Sequence, residues 1–254
     1  MQHMSDKVKQ MTNKVVLTGK VTEFEKRVGT ISSGESKGAP YISFKGKIQF
    51  GEHKAMERSF ERFVQEYSVR EGKKKENKAY ERTVEWANSV KSVADSNWEE
   101  ATEVSLQCSF ATNDYVNAEE KLVEALKCSV AFINDVDGEY GATADVEGYI
   151  SQITPETRGE DQNETGRLRV TVLTNDFFGN IIPVKSIIVP AELREAFEDN
   201  YEVGQTAKLF ITFELHKGEE KPKKTGGIGV QRTTDGKSYV EMILTGADPA
   251  MDED

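Results

Sequence analysis

The chain has 254 residues, of which 37% are hydrophobic and 30% charged, and its formal net charge is −11. This length and composition are typical of a globular protein with one large domain or two ordinary ones. No stretch approaches the roughly 18–20 apolar residues of a membrane span, and the polar start lacks the apolar core of a secretory signal. The acidic total does not by itself exclude nucleic acid as a partner, because binding depends on local fields within about 8–10 Å.

Residue types that usually carry catalysis or metal binding are few and scattered. Cys108 and Cys128 lack CxxC spacing, which favours two reduced thiols in a cytoplasmic protein. The three histidines have no Cys or His partner at ligand spacing, and no Ser-His-Asp or Cys-His constellation is evident. We therefore expect neither an enzyme nor a cofactor-binding or metal-binding protein.

The first half of the chain shows strand-like alternation of apolar and polar residues. Residues 14–24 read KVVLTGKVTEF and residues 40–50 read PYISFKGKIQF, and both alternate as half-buried strands do. Residues 56–69 fit a helical stripe or an aromatic-rich strand; a strand is favoured because it completes an order that the second half repeats. The remaining predictions for this half are a Lys-rich loop at 71–78, a helix at 78–95, strands at 103–110 and 125–133, and an acidic turn at 135–141.

The second half of the chain repeats that order of elements. Its helix, predicted at 190–200, begins with a proline and early acidic residues, which are helix-start signals. Pro183 indicates an edge or a bend in the run before that helix. The other predictions are strands at 143–153, 166–173 (GRLRVTVL), 180–189, 206–215 and 238–246, with polar loops at 154–165 and 217–237.

The order β-β-β-α-β-β, found twice, is that of the OB-fold, a five-stranded Greek-key barrel. We therefore predict a mainly β protein with two OB-folds in tandem, each with a helix between its third and fourth strands. The predicted boundaries are a flexible leader at 1–13, domains at 14–137 and 142–246, and an acidic tail at 247–254.

The second strand of each predicted barrel has basic residues at its outward positions. These residues are Lys45 and Lys47 in the first barrel, and Arg167 and Arg169 in the second. Tyr41 lies on the same outward side as the two lysines. Positive charge at matching places in an acidic chain favours contact with a phosphate backbone over a role in solubility alone.

Two successive OB-folds, an acidic C-terminus and the segment NDYVNAEEKLVEALKCSVAFIND (113–135) resemble single-stranded DNA-binding proteins of bacteriophage type. The resemblance implies sequence-nonspecific binding that supports phage DNA replication or recombination in the host cytoplasm. It implies a binding surface on strands two and three of each barrel, with aromatic side chains on which bases stack. The contacts implied by the resemblance are Tyr41, Lys45, Lys47 and Arg62 in the first barrel, and Arg167, Arg169, Lys185, Phe177 and Phe178 in the second.

The polar segment 217–237 is locally basic, with six basic residues against three acidic ones. Its Gly and Thr content suits a loop that closes over a bound strand, although a solvated hairpin tip explains the same composition. The candidate contacts in this segment are Lys221, Lys223, Lys224 and Arg232. The acidic tail, with Asp252, Glu253 and Asp254, is a candidate site for replication or recombination proteins.

A second function remains open at this stage. The net charge of −11 also suits a tandem-barrel adaptor or structural protein that contacts only other proteins. RNA or oligosaccharide binding by the same barrels is a third alternative.

Overall fold

The structure, a computed structural model, divides into two compact units that are described separately below. The N-terminal unit comprises Lys14–Gly51 and Glu57–Ala142, and the C-terminal unit comprises the described parts of Met1–Asn13, Glu52–Met56 and Thr143–Asp254. No helix in the described part of the chain is long and apolar enough to cross a membrane. The structure describes residues 10–112, 115–116, 119–120, 122–123, 125–158, 162–176, 178–222 and 233–251.

The N-terminal unit is a closed barrel of five strands. The elements of this unit are β1 (Asn13–Thr30), β2 (Pro40–Gln49), β3 (Glu57–Gln65), β4 (Tyr67–Arg70), β5 (Lys73–Glu76), α1 (Tyr80–Ser89), β6 (Glu103–Thr112), β7 (Tyr115–Val116), β8 (Leu122–Val123) and β9 (Leu126–Asn134). Successive neighbours in the ring are β1–β2–β3–β9–β6, and β6 pairs back with β1. All of these pairings are antiparallel except β3 with β9, which is parallel.

Alternating apolar side chains fill this barrel. Ile42, Phe44 and Ile48 of β2 are buried, and the more exposed Tyr41, Ser43, Lys45 and Lys47 alternate with the inward positions, which confirms the predicted alternation over residues 41–48. Gln49, predicted to face outward, is buried. Helix α1 places Trp86 against Phe44, with ring centroids 5.2 Å apart, and so covers one side of the core. Segment 56–69 is extended in β3 and β4, so the prediction of a strand there is confirmed.

The C-terminal unit has the same kind of strand ring. The elements of this unit are β10 (Gly141–Arg158), β11 (Asn163–Asn175), β12 (Ile181–Val189), a 3-10 turn (Ala191–Leu193), α2 (Arg194–Asn200), β13 (Thr206–Pro222) and β14 (Thr233–Ala247). Neighbours in the ring are β10–β11–β12–β14–β13, and β13 pairs back with β10. The β12–β14 pairing is parallel, as is the β3–β9 pairing of the other unit.

A mainly β protein with a closed five-stranded barrel, consistent with an OB-fold, is thus confirmed. Residues 10–12, which the sequence assigned to a leader, make hydrogen bonds within the C-terminal unit. The Thr12 backbone N–H donates to Glu147 Oε2 at 3.0 Å, and the Met11 backbone N–H donates to Asn175 Oδ1 at 3.1 Å.

Three polar segments predicted as loops are partly strand, and those predictions were wrong there. β10 runs to Arg158, β13 runs to Pro222, and β5 lies within the Lys-rich segment 71–78. These stretches are paired arms that extend beyond the barrels. Because these arms carry polar residues at successive positions, they have no apolar alternation, and their composition is typical of a loop.

Glycines stand where the first strand of each ring approaches its neighbour most closely. A Cβ on Gly19 would collide with the Gln49 carbonyl, and a Cβ on Gly148 would collide with the Leu173 carbonyl. Each glycine lies in a long, continuous strand that pairs with two partners, β1 with β2 and β6, and β10 with β11 and β13. Close backbone approach is a recognised reason for glycine inside a strand.

Candidate nucleic-acid interface

The side chains between the buried positions of β1, β2 and β3 form the outer face of the N-terminal barrel. Cross-strand register sets its rows: Glu25 lies opposite Lys45, which lies opposite Glu61, and the next row joins Arg27, Ser43 and Phe63. Side chains alternate along each strand, so this face excludes the core residues. The outer face consists of Glu23, Glu25, Arg27, Gly29, Tyr41, Ser43, Lys45, Lys47, Ser59, Glu61, Phe63 and Gln65.

An aromatic pair occupies one end of the outer face. The rings of Tyr41 and Phe63 lie 5.2 Å apart at 32°, and Phe63 is 57% exposed. The Tyr41 ring lies against Gly29 of β1, where a Cβ would come within 3.0 Å of it. Glycine at position 29 therefore lets the Tyr41 ring lie close to the sheet beside Phe63, which presents an open ring surface.

The lysines of the outer face are paired with carboxylates on the neighbouring strand. Lys45 Nζ lies 2.9 Å from Glu25 Oε2, and Lys47 Nζ lies 2.7 Å from Glu23 Oε1. Hydrogen bonds from Lys45 and Arg27 lower the pKa of Glu25, and the hydrogen bond to Glu23 raises the pKa of Lys47. These side chains are 40–66% exposed, and exposed ion pairs contribute only about 0–1 kcal/mol. The lysines can therefore exchange their partners for another anion at low cost.

A cleft of about 540 Å³ runs beside these lysines. One wall is the outer face, and the other is the segment after α1, which is held to β1 by the Ala94 N–H donating to the Thr22 carbonyl at 3.1 Å. Lys127 of β9 reaches into the same region and pairs with Glu61 at 2.7 Å. The cleft thus combines lysines with carboxylates along one side of β2.

Arg62 lies apart from the outer face. It is opposite the inward residue Phe44 in the β2–β3 register, and its Nη1 donates to the Ala131 carbonyl at 3.0 Å. Burial lowers the pKa of this guanidinium. Arg62 therefore lies on the opposite face of the β2–β3 sheet from Tyr41 and Lys45.

In the C-terminal unit, the predicted arginines belong to a largely buried ion network. Glu156, whose side chain is fully buried, accepts hydrogen bonds from Arg167 Nε at 2.6 Å and Arg169 Nη2 at 2.7 Å. Glu241 lies 3.1 Å from Arg167 and 2.6 Å from Arg158. The network joins the base of the β10–β11 arm to β14, and its three guanidiniums outnumber its two carboxylates.

Burial and hydrogen bonding have opposite effects on the pKa values of the carboxylates in this network. Burial raises the pKa of Glu156, but hydrogen bonds from Arg167 and Thr165 and the charges of Arg167 and Arg158 outweigh burial and lower it to about 2. Glu241 shows the same balance, with a lowered pKa. Removing one partner of a buried ion pair lowers the free energy of unfolding by about 3–5 kcal/mol. Arg167 therefore stabilises the attachment of the arm. Arg169, with 38% of its side chain exposed, is more open to solvent.

The other predicted contacts of this unit lie elsewhere. Phe178 is 81% exposed in the turn between β11 and β12, where its backbone N–H donates to Asp176 Oδ1 at 2.8 Å. Lys185 is exposed at an irregularity of β12 beside Ser186, whose φ is 61°. Asn175 lies six positions after Arg169 along β11, about 20 Å of strand, so the structure does not bring Arg167 and Arg169 together with Phe178.

Several predicted contacts lie outside the residues whose side chains the structure describes. The backbone of Lys221 pairs with Thr234 in the β13–β14 arm. The others are outside the described residues altogether, namely Phe177, Lys223, Lys224, Arg232, Asp252, Glu253 and Asp254.

Two outer-face residues were missed from sequence. Phe63 lies in segment 56–69, in which the sequence pattern singled out no outward position. Alternation in β3 puts Phe63 on the same side as Glu61 and on the other side from Phe60 and Val64. Arg27, 71% exposed and 3.1 Å from Glu25, was missed because the predicted first strand ended at residue 24. Within the described ranges, no group of three or more His, Cys, Asp or Glu side chains could hold a metal ion.

The chain is similar in sequence to one protein family and in structure to solved proteins. A sequence model of the family described as YorF matches residues 12–254, and no curated protein matches in sequence. Among solved structures, the wild-type single-stranded DNA-binding protein from Thermus aquaticus is similar with a TM-score of 0.52 at 9% identity, covering 96% of each chain. A deletion mutant of that protein gives a TM-score of 0.53 at 10% identity, covering 97% of this chain and 98% of the other. At such low identity the likeness shows a shared fold.

Proposed function

The chain belongs to the YorF family, and we propose that it binds single-stranded DNA through the outer face of its N-terminal barrel, without strong sequence preference. The observation that carries this proposal is the Tyr41–Phe63 pair beside Lys45 and Lys47 on the second and third strands of a closed barrel. Single-strand binders combine aromatic stacking with a cationic track for phosphates. The shared fold with the Thermus aquaticus proteins supports the same function.

The outer face supplies both parts of this binding mode. A base stacks on the open ring surface of Phe63, a contact worth about 1–3 kcal/mol. Phosphates take the place of Glu23 and Glu25 beside Lys47 and Lys45, since those exposed ion pairs are weak. Arg27, in the same row as Phe63 with Ser43 between them, adds a further cation.

We also propose that the two units are OB-folds in tandem, with the predicted domains at 14–137 and 142–246. Three observations support this arrangement: the same order of strand pairings in both rings, one helix between the third and fourth ring strands of each, and the matching glycines 19 and 148. Each barrel is then expected to cover about 4–16 nucleotides. Arg169, Lys185 and Phe178 are secondary contacts in this proposal.

The biological setting belongs to the same proposal. We place the binding activity in phage DNA replication or recombination in the host cytoplasm, on the resemblance stated above. The acidic tail residues Asp252, Glu253 and Asp254 are proposed to recruit partner proteins. Pull-down of replication proteins by the full chain but not by a chain ending at residue 247 tests the tail.

Fluorescence anisotropy with labelled oligo-dT tests the central proposal. The wild-type chain should bind at low salt and weaken steeply as salt rises. F63A should lose about 5-fold to 150-fold in affinity, the equivalent of one stacked base. F132A is the matched control, because Phe132 is 60% exposed but lies on β9, outside the outer face. Absence of wild-type binding at low salt, or equal losses in both variants, would contradict the proposal.

The ion pairs of the outer face also favour a second candidate, a protein-binding adaptor. Pairing of Lys45 with Glu25 and of Lys47 with Glu23 leaves this face close to neutral, and the net charge is −11. Partners that survive nuclease treatment in a pull-down, together with no oligo-dT binding, would favour the adaptor.

A further inference from the structure

A two-stranded hairpin, β4–β5, stands outside the N-terminal barrel between β3 and α1. Residues 67–78 contain five cations and two glutamates, a local charge of +3 in an acidic chain. We infer that this hairpin, named here the basic hairpin, is a second contact for the phosphate backbone and extends the outer face beyond its aromatic end. The inference rests on the proposed function.

The turn of the basic hairpin determines which side chains share a face. Glu71 and Gly72 have φ values of 51° and 73°, the two positive values of a type I′ turn. Arg70 pairs with Lys73, and Ser68 pairs with Lys75. Positions two apart on a strand share a face, so Arg70, Lys73 and Lys75 lie together.

The three cations of this face differ in their carboxylate partners from Lys45 and Lys47 of the outer face. Among the described residues, no carboxylate lies within 4.0 Å of Arg70, Lys73 or Lys75. Lys74, on the opposite face, lies 4.1 Å from the Tyr67 ring centroid and 4.0 Å from Glu76. The face formed by Arg70, Lys73 and Lys75 therefore has uncompensated positive charge.

The arrangement of these cations is unfavourable for the hairpin itself. Arg70 and Lys73 are directly opposed, and like charges in such pairs destabilise a sheet. A solubilising turn needs no such pair, because mixed or acidic residues serve solubility equally well. An anion that bridges Arg70, Lys73 and Lys75 would relieve the repulsion, and the repeated phosphates of a nucleic-acid strand offer a row of anions to cations that share one face.

The base of the basic hairpin adjoins the aromatic end of the outer face. The Glu66 N–H donates to the Pro40 carbonyl at 2.8 Å, one residue before Tyr41. The Val69 N–H donates to Ser36 Oγ at 2.9 Å, which fixes the hairpin to the loop joining β1 and β2. A nucleic-acid strand that stacks on Phe63 therefore reaches the basic hairpin next. The two hydrogen bonds fix the direction in which the hairpin extends.

Salt titration of oligo-dT binding tests the inference with a charge-matched control. The hairpin variant is R70Q/K73Q/K75Q, and the control is K14Q/R82Q/K91Q, which removes three exposed cations from other places on the same unit. Each lost phosphate contact lowers the magnitude of the log–log salt slope by about 0.7 for a single strand, so three contacts lower it by about 2. The hairpin variant should show that drop and a weaker affinity at low salt, while the control keeps the wild-type slope.

The outcomes separate the inference from the function on which it rests. Wild-type binding with equal slopes for the hairpin variant and the control would overturn the inference and leave the proposed function standing. No wild-type binding would remove both. Far-UV circular dichroism of each variant excludes unfolding as the cause. If F63A lost affinity for oligo-dT while the hairpin variant kept the wild-type salt slope, DNA contact would be confined to the outer face.

Discussion

Replacing Glu156 by glutamine should destabilise the C-terminal unit by about 3 kcal/mol at pH 7. The Glu156 side chain is fully buried and accepts hydrogen bonds from Arg167 and Arg169 at 2.6 and 2.7 Å. A glutamine keeps one acceptor oxygen but turns N–H donors toward guanidinium donors. The substitution also removes one of the two carboxylates of the network. Among the described residues of the network, Glu241 then remains as the carboxylate that faces three guanidiniums.

Two estimates give the same magnitude. The fall in the pKa of Glu156 from 4.5 to about 2, at about 1.4 kcal/mol per unit, corresponds to about 3 kcal/mol. One-sided disruption of buried ion pairs costs about 3–5 kcal/mol. Because the folded pKa lies below the unfolded value, the stabilisation is complete above about pH 5 and is lost as pH falls toward about 2. The difference between wild type and E156Q should shrink over the same interval.

Urea unfolding followed by far-UV circular dichroism measures this difference. E164Q is the control, since Glu164 is 61% exposed and 3.7 Å from Arg194, and it should change stability by less than about 0.5 kcal/mol. Both tryptophans, Trp86 and Trp98, lie in the N-terminal unit, so their fluorescence reports on the unit that was not changed. An E156Q protein as stable as E164Q at pH 7 would refute the role assigned to the network.

Three further predictions concern the N-terminal unit. E23Q/E25Q should bind oligo-dT more tightly than wild type at low salt, because Lys47 and Lys45 lose competing carboxylates; weaker binding in anisotropy would count against exchange of ion partners. G19A should lower the urea midpoint, because a Cβ at Gly19 collides with a backbone carbonyl; an unchanged midpoint would show that β1 and β2 separate freely. Burial raises the pKa of Cys128 to about 11 and that of Cys108 well above its ordinary value, so both thiols should resist alkylation at pH 8 until denaturant is added; rapid native labelling would contradict their burial.

Much of the barrel could be predicted from local pattern. Alternation in residues 40–50 and 166–173 reports which side of a strand is buried, and the repeated order of elements resolved the ambiguous segment 56–69 in favour of a strand. The same alternation, applied to β3, would have placed Phe63 on the outer face. The arms of β10 and β13 could not be recognised, because polar residues on both sides of a strand leave no apolar period.

The sequence alone determined where the basic outer positions lie, because alternation along a strand is a local property. Tertiary structure alone decided what those positions do, since their partners come from distant segments. Lys45 and Lys47 face Glu25 and Glu23 across an exposed sheet, where high dielectric keeps the pairs weak and exchangeable. Arg167 meets Glu156 and Glu241 in a buried network, where desolvation makes the same kind of pairing costly to break. Burial of the polar side of a strand, which alternation does not reveal, separates the two roles.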